Sequence, residues 1–135
     1  MTLERGSVRG EDPVDYKLEA VVIPVSDIDR TRHFYRALGF RLDLDRSGEG
    51  RRVVRLTPPG SLCSIIICSD VGSAPPGSAR GVLTVDDLEA ARSELLARGV
   101  SPSGISRCEA GFSYATFCDP DGNHWLLVDA VHLGS

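Results

Sequence analysis

The feature that most constrains the fold of this chain is an internal duplication. Residues 17–68 and residues 79–130 predict the same order of elements, a strand, a helix and three further strands. The strand-to-helix corners at 25–27 and 85–87 have equivalent sequences, and a glycine follows each predicted helix. Self-similarity of this kind indicates two copies of one supersecondary unit. The sequence therefore predicts an α+β fold built from two tandem β-α-β-β-β modules.

The element boundaries follow from hydrophobic periodicity and from turn residues. Alternating or continuous apolar runs predict strands, apolar residues three and four apart predict helices, and Gly, Pro and Asp clusters predict turns. The predicted strands are 17–25, 40–45, 51–57, 62–68, 79–85, 99–106, 112–118 and 123–130, and the predicted helices are 28–38 and 87–98. The remaining segments, a flexible N-terminal arm, a linker and a tail, are 1–16, 69–78 and 131–135.

Charge and composition exclude several classes of function. The 135 residues include 15 basic and 19 acidic side chains, a net charge of −4 without any run of like charge. This balance does not favour binding to nucleic acid or to an anionic membrane. The apolar runs are only as long as strands and the N terminus predicts no signal peptide, so we expect a soluble, cytoplasmic protein. The four cysteines form no C-x-x-C pair, and a disulfide framework is not expected.

Two stretches of the sequence resemble a known superfamily. Residues 23–40, IPVSDIDRTRHFYRALGF, and residues 119–128, DPDGNHWLLV, are similar in order and spacing to the vicinal-oxygen-chelate superfamily of glyoxalases, bleomycin-resistance proteins and extradiol dioxygenases. The resemblance covers residues 17–130. It implies curved sheets around a ligand cleft, and a homodimer whose clefts form within one chain or between two. Because this fold carries unrelated activities, the resemblance alone does not define a function.

The resemblance also identifies positions at which a metal would bind. In metal-dependent members, four strand positions supply His and Glu ligands to one divalent ion. Carried over by their offset from the motifs, these positions are Ala20, Ile66, Arg80 and Leu126. None of these side chains offers the imidazole or carboxylate donor that a divalent ion requires. We therefore expect no metal and no cofactor, and the metal-dependent activities of the superfamily are not predicted.

Strand alternation predicts the lining of the cleft, because residues two apart lie on the same face of a sheet. A four-residue hairpin loop would pair Phe117 with His124 and Ala115 with Leu126, and would place all four on the cleft face. The predicted ligand-binding residues are Ala20, Val22, Ser64, Ile66, Cys68, Arg80, Val82, Ala115, Phe117, His124 and Leu126. An apolar lining with a few polar groups is typical of a small-molecule pocket.

Two classes of function fit these observations. The first is a metal-independent protein that binds, and by sequestration confers resistance to, a bulky and partly aromatic compound. The second is a metal-independent isomerase, lyase or cyclase in which His124 or Glu109 transfers a proton and Arg80 holds an oxyanion. Arg80, His124 and Glu109 fit solvated surface, rim and loop positions better than they fit these roles. No Ser-His-Asp, P-loop or paired-carboxylate spacing favours the enzyme, and we expect the binding protein.

Overall fold

Two β-α-β-β-β units follow each other along the chain. A computed structural model describes residues 13–69 and 74–129, so the predicted tail and parts of the predicted arm and linker lie outside the described residues. The first unit contains β1 (Ala20–Pro24), α1 (Ile28–Ala37), β2 (Arg41–Gly48), β3 (Arg51–Thr57) and β4 (Ser64–Cys68). The second contains β5 (Arg80–Val85), α2 (Leu88–Ala97), β6 (Ser106–Arg107), β7 (Ser113–Cys118) and β8 (His124–Asp129). The predicted fold class is confirmed.

Each unit forms one four-stranded mixed sheet. The strand order is β1-β4-β3-β2 in sheet A and β5-β8-β7-β6 in sheet B. The first strand of each unit pairs in parallel with the last strand, and the other neighbours are antiparallel. Ala20 pairs with Ser64 just as Arg80 pairs with His124, so the two modules share one register. In this order β1 and β5 are edge strands.

Both helices begin at an aspartate that follows a strand. The Asp27 carboxylate accepts a hydrogen bond from the Arg30 N–H at 3.0 Å, and the Asp87 carboxylate accepts one from the Ala90 N–H at 3.0 Å. Each cap satisfies one of the backbone donors that a helix start leaves unpaired. The two predicted helices are confirmed to within one residue at each end. Neither of these ten-residue helices is long enough to cross a membrane.

The predicted strand 99–106 is wrong over most of its length, because only the two residues of β6 pair with β7. The Ser103 N–H donates to the Thr116 carbonyl oxygen at 2.8 Å, but the Thr116 N–H donates to the Ser103 side-chain hydroxyl at 2.9 Å. A side chain thus replaces a ladder partner, and Pro102 has no N–H to contribute. Regular strand pairing therefore begins only at β6.

Five of the eight aromatic residues, Phe34, Tyr35, Phe40, Phe117 and Trp125, lie in or against a core that the two modules share. Tyr35 on α1 is fully buried, and its ring centroid lies 5.2 Å from that of Phe40 and 6.3 Å from that of Trp125 on β8. Phe34 approaches Phe117 on β7 with a centroid separation of 6.5 Å. The first helix therefore packs against side chains of both sheets, and the helix-facing sides of the sheets form one core.

A buried hydrogen-bond network also joins the modules. Tyr35 Oη donates to Asp119 Oδ2 at 2.8 Å and accepts from Trp125 Nε1 at 2.9 Å. Asn123 Nδ2 donates to the Pro24 carbonyl oxygen and to Asp119 Oδ2, both at 2.9 Å. Burial and the nearby Asp119 carboxylate raise the pKa of Tyr35 far above its usual range. The Tyr35 hydroxyl consequently remains a donor across the neutral pH range.

Candidate functional site

The sheet faces that point away from the helices form the candidate binding surface, and we call them the open faces. Strand alternation places a side chain on the open face wherever its two neighbours lie in the core. Nine of the eleven predicted residues lie on the open faces: Ala20, Val22, Ser64, Ile66, Cys68, Arg80, Val82, His124 and Leu126. That they bind a ligand stays a prediction.

The predicted pairing of β7 with β8 is wrong by one residue. Phe117 pairs with Trp125 rather than with His124, so the hairpin loop is the five-residue segment 119–123. The Asp119 side chain sets this length, because its Oδ1 accepts the Asp121 N–H at 3.0 Å and the Asn123 N–H at 2.9 Å. A shift of one residue moves every side chain of a strand to the opposite face.

Ala115 and Phe117 therefore do not line the open face. Their side chains are 0% and 4% exposed and lie in the shared core. Tyr114, Thr116 and Cys118 occupy the open face of β7 instead, opposite Val128, Leu126 and His124 of β8. The polar character of Tyr114 and Thr116, which alternate with the two core residues, is the signal in the sequence that could have identified this face.

A groove with a volume of about 490 Å³ runs between the edge strands β1 and β5. Val22 and Val82 flank it with 47% and 58% of their surfaces exposed. The side chains and backbone that line it are Leu18, Val21, Val22, Ile23, Pro58, Ser61, Cys63, Ser64, Ile65, Ala79, Arg80, Gly81, Val82, Leu83 and Trp125. A concave and mostly apolar wall with few polar groups has the character of a small-molecule site.

Four of the predicted residues, Val22, Ser64, Arg80 and Val82, line this groove. The other five on the open faces lie on the sheet surfaces beside it. Cys68 also borders a cavity of about 430 Å³ at the β2–β3 hairpin, whose wall includes Arg51 and Arg52. We take the groove as the candidate site because it lies between the modules and combines exposed apolar side chains with a cation.

The titratable candidates are only partly brought together. Arg80 and His124 are register partners on β5 and β8 and lie side by side on the open face. Glu109 belongs to the loop before Ser113, whereas His124 pairs with Cys118 at the opposite end of β7. Five residues of strand separate these two ends, about 17 Å at the usual rise per residue. Within one chain, His124 and Glu109 do not form a proton-transfer pair.

The residues present do not fit the metal of the metal-dependent relatives. By register, Ala20 and Arg80 are equivalent positions in the two modules, and so are Ile66 and Leu126. None of the four supplies a metal-binding donor. Within 13–69 and 74–129, no group of three or more His, Cys, Asp and Glu side chains is arranged to hold a metal ion.

Comparisons with known proteins agree with this geometry. The sequence model of the Glyoxalase/Bleomycin resistance protein/Dioxygenase superfamily matches residues 17–127. TnmS3, an antibiotic-binding protein from Streptomyces sp. CB03234, is 32% identical, with a TM-score of 0.78 over 87% of this chain and 98% of that one. A glyoxalase/bleomycin resistance protein from the same organism is 33% identical, with a TM-score of 0.72 over 83% of this chain and 99% of that one.

A third structure extends the likeness beyond that organism. A superfamily member from Sphaerobacter thermophilus DSM 20745 is 25% identical and covers 84% of this chain and 97% of its own, with a TM-score of 0.73. A search of curated proteins gave no match. The superfamily model spans both modules, including both strand-to-helix corners and the β7–β8 hairpin. The chain therefore belongs to the Glyoxalase/Bleomycin resistance protein/Dioxygenase superfamily.

Proposed function

We propose that the chain is a metal-independent binding protein that sequesters a bulky, partly aromatic compound in the groove between β1 and β5. The observation that carries this proposal is the groove itself, which has a volume of about 490 Å³ and leaves Val22 and Val82 half exposed. The likeness to TnmS3, which is an antibiotic-binding protein, supports it. A protein that sequesters an antibiotic protects a cell without any turnover of the compound.

The proposed affinity comes from apolar contact and one cation. Burying a flat ligand surface contributes about 25 cal/mol per Å² before the costs of association are subtracted. Arg80 lines the groove, and no acidic side chain of residues 13–69 or 74–129 pairs with it. A guanidinium without an internal partner is available to an oxygen anion of the ligand. The groove therefore suits a compound that combines a flat apolar body with an acidic or electron-rich oxygen.

A charge introduced at Val82 should weaken binding of a flat aromatic probe. We expect Val82→Asp to raise the Kd of 1-hydroxypyrene about tenfold or more, because the bound ring would desolvate the new carboxylate. Leu96→Asp is the matched control, since Leu96 is 49% exposed on α2 and lies outside the groove. Fluorescence titration measures both constants. Equal Kd values for Val82→Asp and the wild type would contradict the proposed site.

Incubation with the same probe addresses the enzymatic alternative, an isomerase, lyase or cyclase. The adjacency of Arg80 and His124 on β5 and β8 is the observation in its favour. The separation of Glu109 from His124 weakens it, because proton transfer needs groups within hydrogen-bonding reach of the substrate. A sequestering protein returns the bound probe chemically unchanged after prolonged incubation. Conversion that disappears in His124→Ala would favour the enzyme.

We further propose that the chain forms a homodimer. Residues 13–19 form neither helix nor strand, and Val14, Tyr16 and Leu18 are 64%, 90% and 72% exposed. Apolar side chains at every second position give the segment an apolar side, which a second copy of the chain would cover. We expect sedimentation equilibrium to give a dimer that Tyr16→Asp weakens, whereas Leu62→Asp, at a 98% exposed position, leaves it intact. A wild type that remains monomeric would overturn this proposal.

The proposed partners are thus a small molecule and a second copy of the chain. A net charge of −4 without basic runs does not favour nucleic acid or an anionic membrane as a further partner. All four cysteines are present as thiols, which fits a reducing compartment. On these grounds we propose a cytoplasmic location.

A further inference from the structure

A chain of side-chain hydrogen bonds crosses the open face of sheet A and ends at the groove. Arg41 Nε donates to Asp43 Oδ1 at 2.6 Å, and Thr57 Oγ1 donates to Asp43 Oδ2. Thr57 Oγ1 and Ser64 Oγ are 2.7 Å apart. Thr57 and Ser64 are each 3% exposed, and Ser64 belongs to the wall of the groove. This row of hydrogen bonds therefore links the ion pair of Arg41 and Asp43 on β2 to the Ser64 hydroxyl at the candidate site.

We propose that Ser64 Oγ is a hydrogen-bond acceptor that selects ligands carrying a hydroxyl or N–H group on their aromatic body. This inference rests on the proposed function, because it assigns the chemistry by which the same groove would recognise its ligand. It names a specificity-determining residue and a ligand class, hydroxylated or amino-substituted flat aromatic compounds.

The donor in each of these hydrogen bonds can be assigned, and the assignment supports the inference. The Arg41 guanidinium and the Thr57 hydroxyl hold the pKa of Asp43 below its usual range, so Asp43 is a carboxylate at neutral pH and can only accept. Thr57 has a single hydroxyl proton and donates it to Asp43. In the contact between Thr57 and Ser64, the donor must therefore be Ser64. The Ser64 proton is committed to Thr57, and Ser64 Oγ presents only lone pairs to a further partner.

The residues around Ser64 allow its lone pairs to discriminate between a ligand donor and a ligand acceptor. The register partner of Ser64 on the edge strand is Ala20, whose methyl side chain offers neither donor nor acceptor. Val22, another residue of the groove wall, is also apolar. A ligand donor at this position gains a hydrogen bond, whereas an ether oxygen would face the lone pairs of Ser64 and lose its water without compensation. Sites built around one such hydrogen bond discriminate strongly against analogues that lack the matching group.

Two probes of nearly equal shape test the inference, 1-hydroxypyrene and 1-methoxypyrene. The readout is the ratio of their Kd values, measured by fluorescence titration. We expect the wild type to favour the hydroxyl compound by about tenfold, the order expected for one hydrogen bond in an apolar wall. Ser64→Ala should bring the ratio close to one, because it removes the acceptor.

Substitution of Thr57 separates recognition from structural support. Thr57→Val keeps the side-chain shape but removes the acceptor for the Ser64 proton, so Ser64 can then donate to the ether of 1-methoxypyrene. We expect the ratio to fall several-fold. Thr57→Ser restores the hydroxyl and should restore the ratio. A loss of packing alone would weaken binding of both probes equally and leave the ratio unchanged.

The outcomes are distinct. If both probes bind the wild type with the same Kd, or if Ser64→Ala retains the wild-type ratio, Ser64 does not read the ligand and the inference is overturned while the binding function stands. If Ser64→Ala lowers the ratio but Thr57→Val retains it, the Ser64 proton is not committed to Thr57, and the assignment of Ser64 as an acceptor alone is overturned. If neither probe binds the wild type, the proposed binding of flat aromatic compounds fails, and the inference fails with it.

Discussion

Asp119→Ala is expected to lower the free energy of unfolding by about 3–5 kcal/mol, because it leaves several buried donors without an acceptor. Asp119 is only 5% exposed. Its two oxygens accept from Tyr35 Oη, from Asn123 Nδ2, and from the backbone N–H groups of Asp121 and Asn123. The side chain therefore supports both the β7–β8 loop and the contact of α1 with sheet B.

Urea denaturation followed by circular dichroism measures this loss. Asp86→Ala is the matched control, because Asp86 is an exposed aspartate at the corner before α2, and its substitution should change stability by less than about 0.5 kcal/mol. Asp119→Asn keeps one acceptor oxygen, but its amide group is itself a donor and would face neighbouring donors. We therefore expect an intermediate loss of stability. A stability of Asp119→Ala within error of the wild type would show that water replaces the carboxylate.

The sequence predicts the modular plan because that plan depends on local signals. The strand-to-helix corners contain Asp27 and Asp87, which cap their helices, and apolar alternation marks most strands. The length of the 119–123 loop depends on distant contacts as well. The Ser26 N–H and hydroxyl donate to the Asp121 carboxylate at 3.1 and 2.6 Å across the module boundary. Contacts 95 residues apart in the sequence are not visible in its local pattern.

The sequence pattern does not reveal the row of hydrogen-bonded side chains Arg41, Asp43, Thr57 and Ser64 on sheet A. The pairing of β2 with β3 shifts between Leu42 and Leu44, so the alternation of side chains changes at Asp43. A bulge adds one residue to a strand and redirects the side chains that follow it. The alternation within β3 does place Arg55 and Thr57 on the open face, whereas Val54 and Leu56 lie on the core face. The sequence pattern therefore predicts the face on which Thr57 lies, but only the fold shows that Asp43 meets Thr57.

Gly81→Ala is expected to lower the free energy of unfolding by about 2–4 kcal/mol and to weaken ligand binding. A Cβ atom at position 81 would lie 2.4 Å from Cζ3 of the Trp125 indole, well inside van der Waals contact. The indole is 4% exposed and its Nε1 donates to Tyr35 Oη at 2.9 Å, so the ring cannot move without breaking that hydrogen bond. Displacement of Trp125 would disturb the core and the wall of the groove together, because both Gly81 and Trp125 line it.

Gly104→Ala provides the control for this prediction. A Cβ atom at position 104 would meet nothing within 4 Å, so this variant should be as stable as the wild type or slightly more stable. Urea denaturation gives the two stabilities, and titration with 1-hydroxypyrene gives the two Kd values. If Gly81→Ala loses stability but binds the probe as the wild type does, the ligand does not contact the β5 wall beside Trp125. If it loses neither, the indole has room to move, and Gly81 is not required by its packing.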